Sequence, residues 1–157
     1  MLSHAKRKRF NREINDLKRP EDAIYLELSG TRCKDDCEPQ AQWCWPGQVV
    51  VGQQKPCEKS CIYEVVSCDV ANVVLRAETN VRANGEKPEG ATVVVPRKIA
   101  TDAFRMCHSV TYCKSQGLTL RGLIVLADVN SEHFEIEHLN LGVTRATHSS
   151  LVELRSC

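Results

Sequence analysis

The stretch SVTYCKSQGLTLRGLIVLAD, residues 109–128, sets two textures side by side. Val110, Thr111 and Tyr112 form a half-apolar run that breaks at Lys114-Ser115-Gln116-Gly117. Almost at once the chain turns apolar again, at Leu123-Ile124-Val125-Leu126-Ala127. A short continuous apolar run bounded by polar residues reads as a strand buried on both faces, the signature of a parallel sheet. In open α/β sheets, ligands bind where loops leave the carboxyl ends of strands. Lys114, Ser115, Gln116 and Gly117 fall at such an end if 107–112 (CHSVTY) is a strand. Lysine and a hydroxyl suit phosphate oxygens, glutamine can bridge a phosphate or sugar to the backbone, and glycine admits close backbone approach. An ordinary polar loop has the same composition.

Working outward, RGLIVLAD (121–128) is expected to be a fully buried strand. SEHFEIEHLNLGVTRA (131–146) is expected to be a helix, with Ile136, Leu139, Val143 and Ala146 on one face, and SSLVELRS (149–156) a final strand. KIATDAFRM (98–106) suits a short helix. Strand, loop, strand, helix, strand implies a parallel α/β sheet. Arg145 stands near the end of that helix. It can satisfy the helix dipole and the last carbonyls, or reach a phosphate supplied by a neighbouring domain.

Upstream the texture differs. Phe10, Ile14 and Leu17 recur at helical spacing, Ser3 can cap and Pro20 forbids continuation, so a helix is expected over 4–18. AIYLEL (23–28) suits a short strand. Residues 29–46 are polar and cysteine-bearing, and run into the turn signal WCWPG. QVVVGQ, CIYEVVSC, ANVVLRAE and ATVVVP are Val-rich β runs, the last pair separated by Asn-Gly and Glu-Gly turns. This middle block, about 42–96, reads as a small antiparallel barrel or sheet.

The chain has 157 residues, of which 42% are hydrophobic, 26% charged and 5% aromatic. These values fit a globular domain whose core rests on Val, Leu, Ile and Ala. A chain of this size buries roughly 70% of its unfolded surface and needs no staple. No apolar run is long enough to span a bilayer, and the charged N-terminal stretch is unlike a signal peptide, so an intracellular protein with no membrane partner is expected. The net charge of +1 hides a basic cluster: Lys6, Arg7, Lys8, Arg9, Arg12, Lys18 and Arg19 stand against Glu13 and Asp16. Such a cluster suits an anionic partner or a solvated helix face.

Nine cysteines without a secretory signal read as reduced thiols. Cys33, Cys37 and Cys44 repeat the C-x3-C-x6-C spacing of Cys57, Cys61 and Cys68. Cys33, Cys37, Cys57 and Cys61 make a candidate zinc set. The competing reading is core and loop thiols. The five histidines are scattered and read as surface or supporting residues.

Together, SVTYCKSQGLTL and LNLGVTRATHSSLVEL resemble motifs V and VI of superfamily 1 helicases, specifically the RecD-like group with 5′-to-3′ polarity. LSHAKRKRFNREIN resembles the opening of that group's second RecA-like domain, and residues 39–75 its inserted β-barrel. The resemblance covers nearly the whole chain. It implies a RecA-like parallel sheet (1–41 and 97–157) with an inserted small antiparallel β-barrel (42–96). It implies an arginine finger at Arg145, nucleotide coupling at Gln116 and Gly117, and single-strand contacts at Thr111, Lys114 and Ser115, with Thr119 beside that loop. The basic residues Lys6, Arg7 and Arg9 join the nucleic-acid contacts. ATP and Mg2+ would be the cofactors, and single-stranded nucleic acid and a first RecA-like domain the partners.

The departures are definite. No Gly-x-x-x-x-Gly-Lys-Ser/Thr loop and no first RecA-like domain is present, and position 113 is Cys where that group usually carries His. The chain alone is therefore expected not to hydrolyse ATP. The rival expectation is a non-catalytic nucleic-acid-binding or zinc-stapled interaction module.

Overall fold

The computed structural model describes residues 4–29, 39–78, 90–116 and 123–155. The chain divides into two compact units: Phe10–His108, and Met1–Arg9 with Ser109–Cys157. Helix α1 (His4–Lys18) contributes residues to both. Its bounds match the expected helix, but its buried stripe does not. Leu17 is 84% exposed, whereas Arg7, Asn11 and Asn15 are buried. These three recur every four residues and so share one face. A polar stripe can be buried because it is hydrogen-bonded. Asn15 Nδ2 donates to the Trp43 carbonyl at 3.0 Å, and Trp43 N–H donates to Asn15 Oδ1 at 2.8 Å.

In the larger unit, β1 (Ile24–Leu26) pairs antiparallel with β2 (Gln42–Cys44), so the expected strand at 23–28 has a partner where the polar, cysteine-bearing stretch meets the expected antiparallel block. The chain then turns through Trp45-Pro46-Gly47-Gln48. Gln48 N–H donates to the Trp45 carbonyl at 3.2 Å, and Gly47 has φ +85°. Proline at the second position and positive φ at the third are the demands of a type II turn, which is why Gly follows Pro.

Beyond the turn lie β3 (Val49–Gly52), β4 (Ile62–Cys68), β5 (Asn72–Ala77) and β6 (Thr92–Pro96). A one-turn 3-10 segment and α2 (Ala100–Ala103) lead into β7 (Phe104–Met106). The sheet order is β6-β5-β4-β3-β7, all antiparallel, with a register shift in β4 between Val65 and Ser67. Alternation along β4 and β5 sends Tyr63, Val65, Val73 and Leu75 inward, where they meet Val50, Val95, Ala100, Ala103 and Phe104. The expected antiparallel block is thus a five-stranded sheet, and among the described residues no β6–β7 pairing closes it into a barrel.

Two expectations around residues 98–112 need correction. KIATDAFRM is not one helix: its last three residues are β7, fully buried beside β3. CHSVTY is not a strand. Cys107–Thr111 has no regular structure, and Tyr112 opens the short helix α3 (Tyr112–Ser115). The Tyr112 ring is an anchor rather than one member of an alternating row, because its hydroxyl donates to the Ala127 carbonyl at 2.8 Å.

In the smaller unit, β8 (Ile124–Leu126) and β9 (Val152–Leu154) pair in parallel and are connected through α4 (Ile136–Val143), as the strand-helix-strand texture implied. Helix α4 is shorter than the expected 131–146. Residues 128–134 form turns held by Ser131 N–H to the Asp128 carbonyl and Phe134 N–H to the Ser131 carbonyl, both 2.9 Å. A capping box between Glu135 and His138 then fixes the start of the helix. β8 is not fully buried, since Val125 is 39% exposed, and among the described residues it pairs with β9 alone. Among the described residues no helix is long and apolar enough to cross a membrane.

Candidate functional site

The carboxyl end of β8 gathers the smaller unit. Arg155 N–H donates to the Leu126 carbonyl at 2.9 Å, and Tyr112 Oη to that of Ala127. The next residue, Asp128, has φ +64° and is buried. Aspartate tolerates this left-handed conformation better than most residues. Its Oδ1 accepts from Lys6 Nζ at 2.6 Å, while Oδ2 has no hydrogen-bond partner among the described residues. Sequence reasoning missed Asp128. The available signal was an acidic residue directly after an apolar strand, where a carboxylate needs a purpose.

Thr111 is the N-cap of α3, extended and buried. Lys114 lies within α3. Ser115 is buried, and its hydroxyl donates back to the Tyr112 carbonyl at 2.7 Å. Gln116 is the exposed C-cap residue, and Gly117 and Thr119 lie outside the described residues. The expected strand-end loop is therefore mostly a helical turn. Tyr112, Phe134 and His138 form an aromatic cluster, with ring centroids 5.4 to 5.9 Å apart, that braces α3 in this unit.

Arg145 follows α4 within three residues of Gly142, and the placement of α4 explains its own. A Cβ on Gly142 would run into the Leu126 side chain, so the glycine lets α4 lie directly on β8. Thr144 Oγ1 donates to the carbonyls of Asn140 at 2.8 Å and Leu141 at 3.2 Å, satisfying the helix end. The Arg145 guanidinium is half-buried, with Nη2 donating to Thr144 Oγ1 at 3.1 Å.

The basic cluster divides by environment. Lys6 is engaged with Asp128, Arg7 is buried, and Arg9 is exposed. Of the candidate zinc ligands, Cys33 and Cys37 lie outside the described residues. Cys57 is buried, and Cys61 Sγ lies 3.4 Å from Glu58 Oε2. Burial, then the neighbouring Cys61, pushes the Cys57 thiol up to about 11, and burial also raises Cys61. Both are thus protonated at neutral pH. Among the described residues no group of three or more His, Cys, Asp or Glu side chains is placed to hold a metal.

No protein-family model and no curated protein matches the chain. Solved structures do. Bacteroides Pif1 bound to ssDNA aligns with a TM-score of 0.55 at 14% identity over 90% of this chain. A structure concerned with DNA unwinding at forked dsDNA by two coordinating Pif1 helicases gives the same score and identity over 98%. Unliganded Pif1 from Bacteroides sp. gives 0.50 over 97%. The chain spans 37–38% of the length of these proteins. The likeness shows the fold: this chain folds like a part of the Pif1 helicases.

Proposed function

We propose that this chain is part of a superfamily 1 helicase of the RecD-like, 5′-to-3′ group, carrying its second RecA-like domain (1–41 and 97–157) with residues 42–96 as the inserted β unit. One observation carries the reading. Two parallel strands are connected through α4, and Arg145 follows α4 directly, in the order the motif resemblance requires. The fold shared with Pif1 helicases supports it.

In this reading Arg145 is the arginine finger. Its fork of donors would meet negative charge on the γ-phosphate of an ATP held with Mg2+ by a first RecA-like domain. Gln116 and Gly117 couple that nucleotide to the strand-binding track. Thr111, Lys114 and Ser115 border the single-strand backbone, Ser115 by holding α3 in shape. Of the basic residues Lys6, Arg7 and Arg9, the exposed Arg9 would lie nearest the phosphates, while Lys6 and Arg7 set the helix in place.

The chain lacks a phosphate loop, so it has no ATPase activity alone. Mixed or fused with a first RecA-like domain, it gains ATP hydrolysis stimulated by single strands. A chain that stays inert with every such domain supplied, yet binds single strands in a salt-sensitive way, is the non-catalytic module instead. A zinc-stapled variant of that module would use Cys33, Cys37, Cys57 and Cys61. Metal analysis giving about one zinc per chain supports it.

A further inference from the structure

The chain has two tryptophans, and both lie in the larger unit. In β2 the alternation buries Gln42 and Cys44 and leaves Trp43 partly exposed, and Trp45, also partly exposed, follows where the strand ends. Tyr25 of β1 is the cross-strand partner of Trp43, 42% exposed, with ring centroids 4.9 Å apart. The Trp45 ring lies nearly parallel to that of His108, 17° apart with centroids separated by 6.4 Å. The end of α1 adds cations. The Arg19 guanidinium sits 4.4 Å from the Trp43 ring centroid, and Lys18 is near enough to His108 for its charge to be felt there. Glu21 and Asp22 follow on the next turn, exposed, with Asp22 acting on Cys68. Asn15 holds the Trp43 backbone from both its N–H and its carbonyl, so the ring is mounted on a fixed strand.

In a chain with 5% aromatic residues, one exposed tyrosine and two partly exposed tryptophans thus lie in one unit with two cations beside them. We propose that Tyr25, Trp43 and Trp45, rimmed by Lys18 and Arg19, form a stacking platform for the bases of single-stranded nucleic acid. Every base offers a π-face, and a guanidinium over an indole leaves donors for phosphate, so rings and cations together grip a strand without reading its sequence. This site uses none of the α3 residues and not Arg145. It rests on the nucleic-acid reading above only for the class of polymer.

Both tryptophans lie in the proposed site, so intrinsic emission reports on it directly. The full chain is titrated with a single-stranded oligothymidylate of about 16 nucleotides, and with an abasic strand of equal length and charge. Tryptophan emission and anisotropy of a labelled strand are followed together. The expected result is quenching with the same midpoint as the anisotropy change, and weaker binding of the abasic strand. Trp45→Leu should weaken oligothymidylate binding about 5- to 150-fold, the range for losing one stacked base, and Trp45→Phe should restore most of it. Lys18→Ala with Arg19→Ala should flatten the salt dependence. Saturating anisotropy with unchanged emission, or equal affinity for the abasic strand, overturns the platform and leaves the helicase reading standing. No binding of either strand overturns the platform together with the nucleic-acid reading.

Discussion

The two units bury apolar surface to very different extents. In Phe10–His108, the sheet and its flanking segments enclose one contiguous cluster, from Leu26 and Val50 through Leu75 to Phe104. In the smaller unit, Tyr112 and Leu126 are the buried large apolar side chains among the described residues, while Leu123, Ile136 and Leu154 are each more than half exposed. An antiparallel sheet can be content with one covered face, but parallel strands normally have both faces covered. The larger unit thus encloses a core of its own, whereas the described elements of the smaller unit keep large apolar side chains at the surface.

The largest expected effect breaks the larger unit. Leu75 is fully buried between β4 and β6, so Leu75→Ala should cost about 2–5 kcal/mol, read by denaturant titration. Hydrogen exchange should show loss of protection across all five strands. Losses confined to β5 would mean that the sheet is not one cooperative body.

Asp128→Ala comes next, and acts on the smaller unit. It removes the partner of Lys6 and puts alanine where φ is +64°. Lys6 is half-exposed, which limits the value of the pair, so a loss of about 1–3 kcal/mol is expected. Asp128→Asn, which tolerates the same backbone, should recover part of it. Gly142→Val should cost a similar amount, about 1–3 kcal/mol, by driving α4 off Leu126. A change in Leu126 and Gly142 amide exchange with the five-stranded sheet untouched would sharpen the contrast between the units.

The smallest effect concerns pH. Burial, and then the charge of Lys18, lowers the His108 pKa below its ordinary 6.5. The folded state therefore holds fewer protons than the unfolded state just below pH 6.5. Stability is full above that value and declines as pH falls towards the folded pKa. His108→Gln should flatten this acid limb in a thermal melt of the larger unit. An unchanged limb would place its origin elsewhere.

How much of this was legible in the sequence depended on what each residue answers to. The Val-rich strands were readable because alternation and turn residues are local, and Gly47 after Pro46 marked the turn between β2 and β3. The parallel β8–β9 pair and the helix between them followed from texture. CHSVTY misled because Val, Thr and Tyr favour strands, whereas Tyr112 answers to Ala127, Phe134 and His138, up to 26 positions away. The buried Arg7-Asn11-Asn15 stripe was invisible to hydrophobic periodicity, since burial there rests on hydrogen bonds such as those to Trp43. Trp43 and Trp45 read as a turn signal, and Asp128 as the end of a strand. Their environments are tertiary, and no local pattern announces them.

The most direct test of the helicase reading is ATP turnover by the chain joined to a first RecA-like domain, with and without Arg145→Ala. The account predicts a loss of about 10³- to 10⁵-fold in kcat with ATP affinity nearly unchanged, and no rescue by Arg145→Lys, which lacks the planar fork. Equal turnover by the parent and the Arg145→Ala form would contradict it.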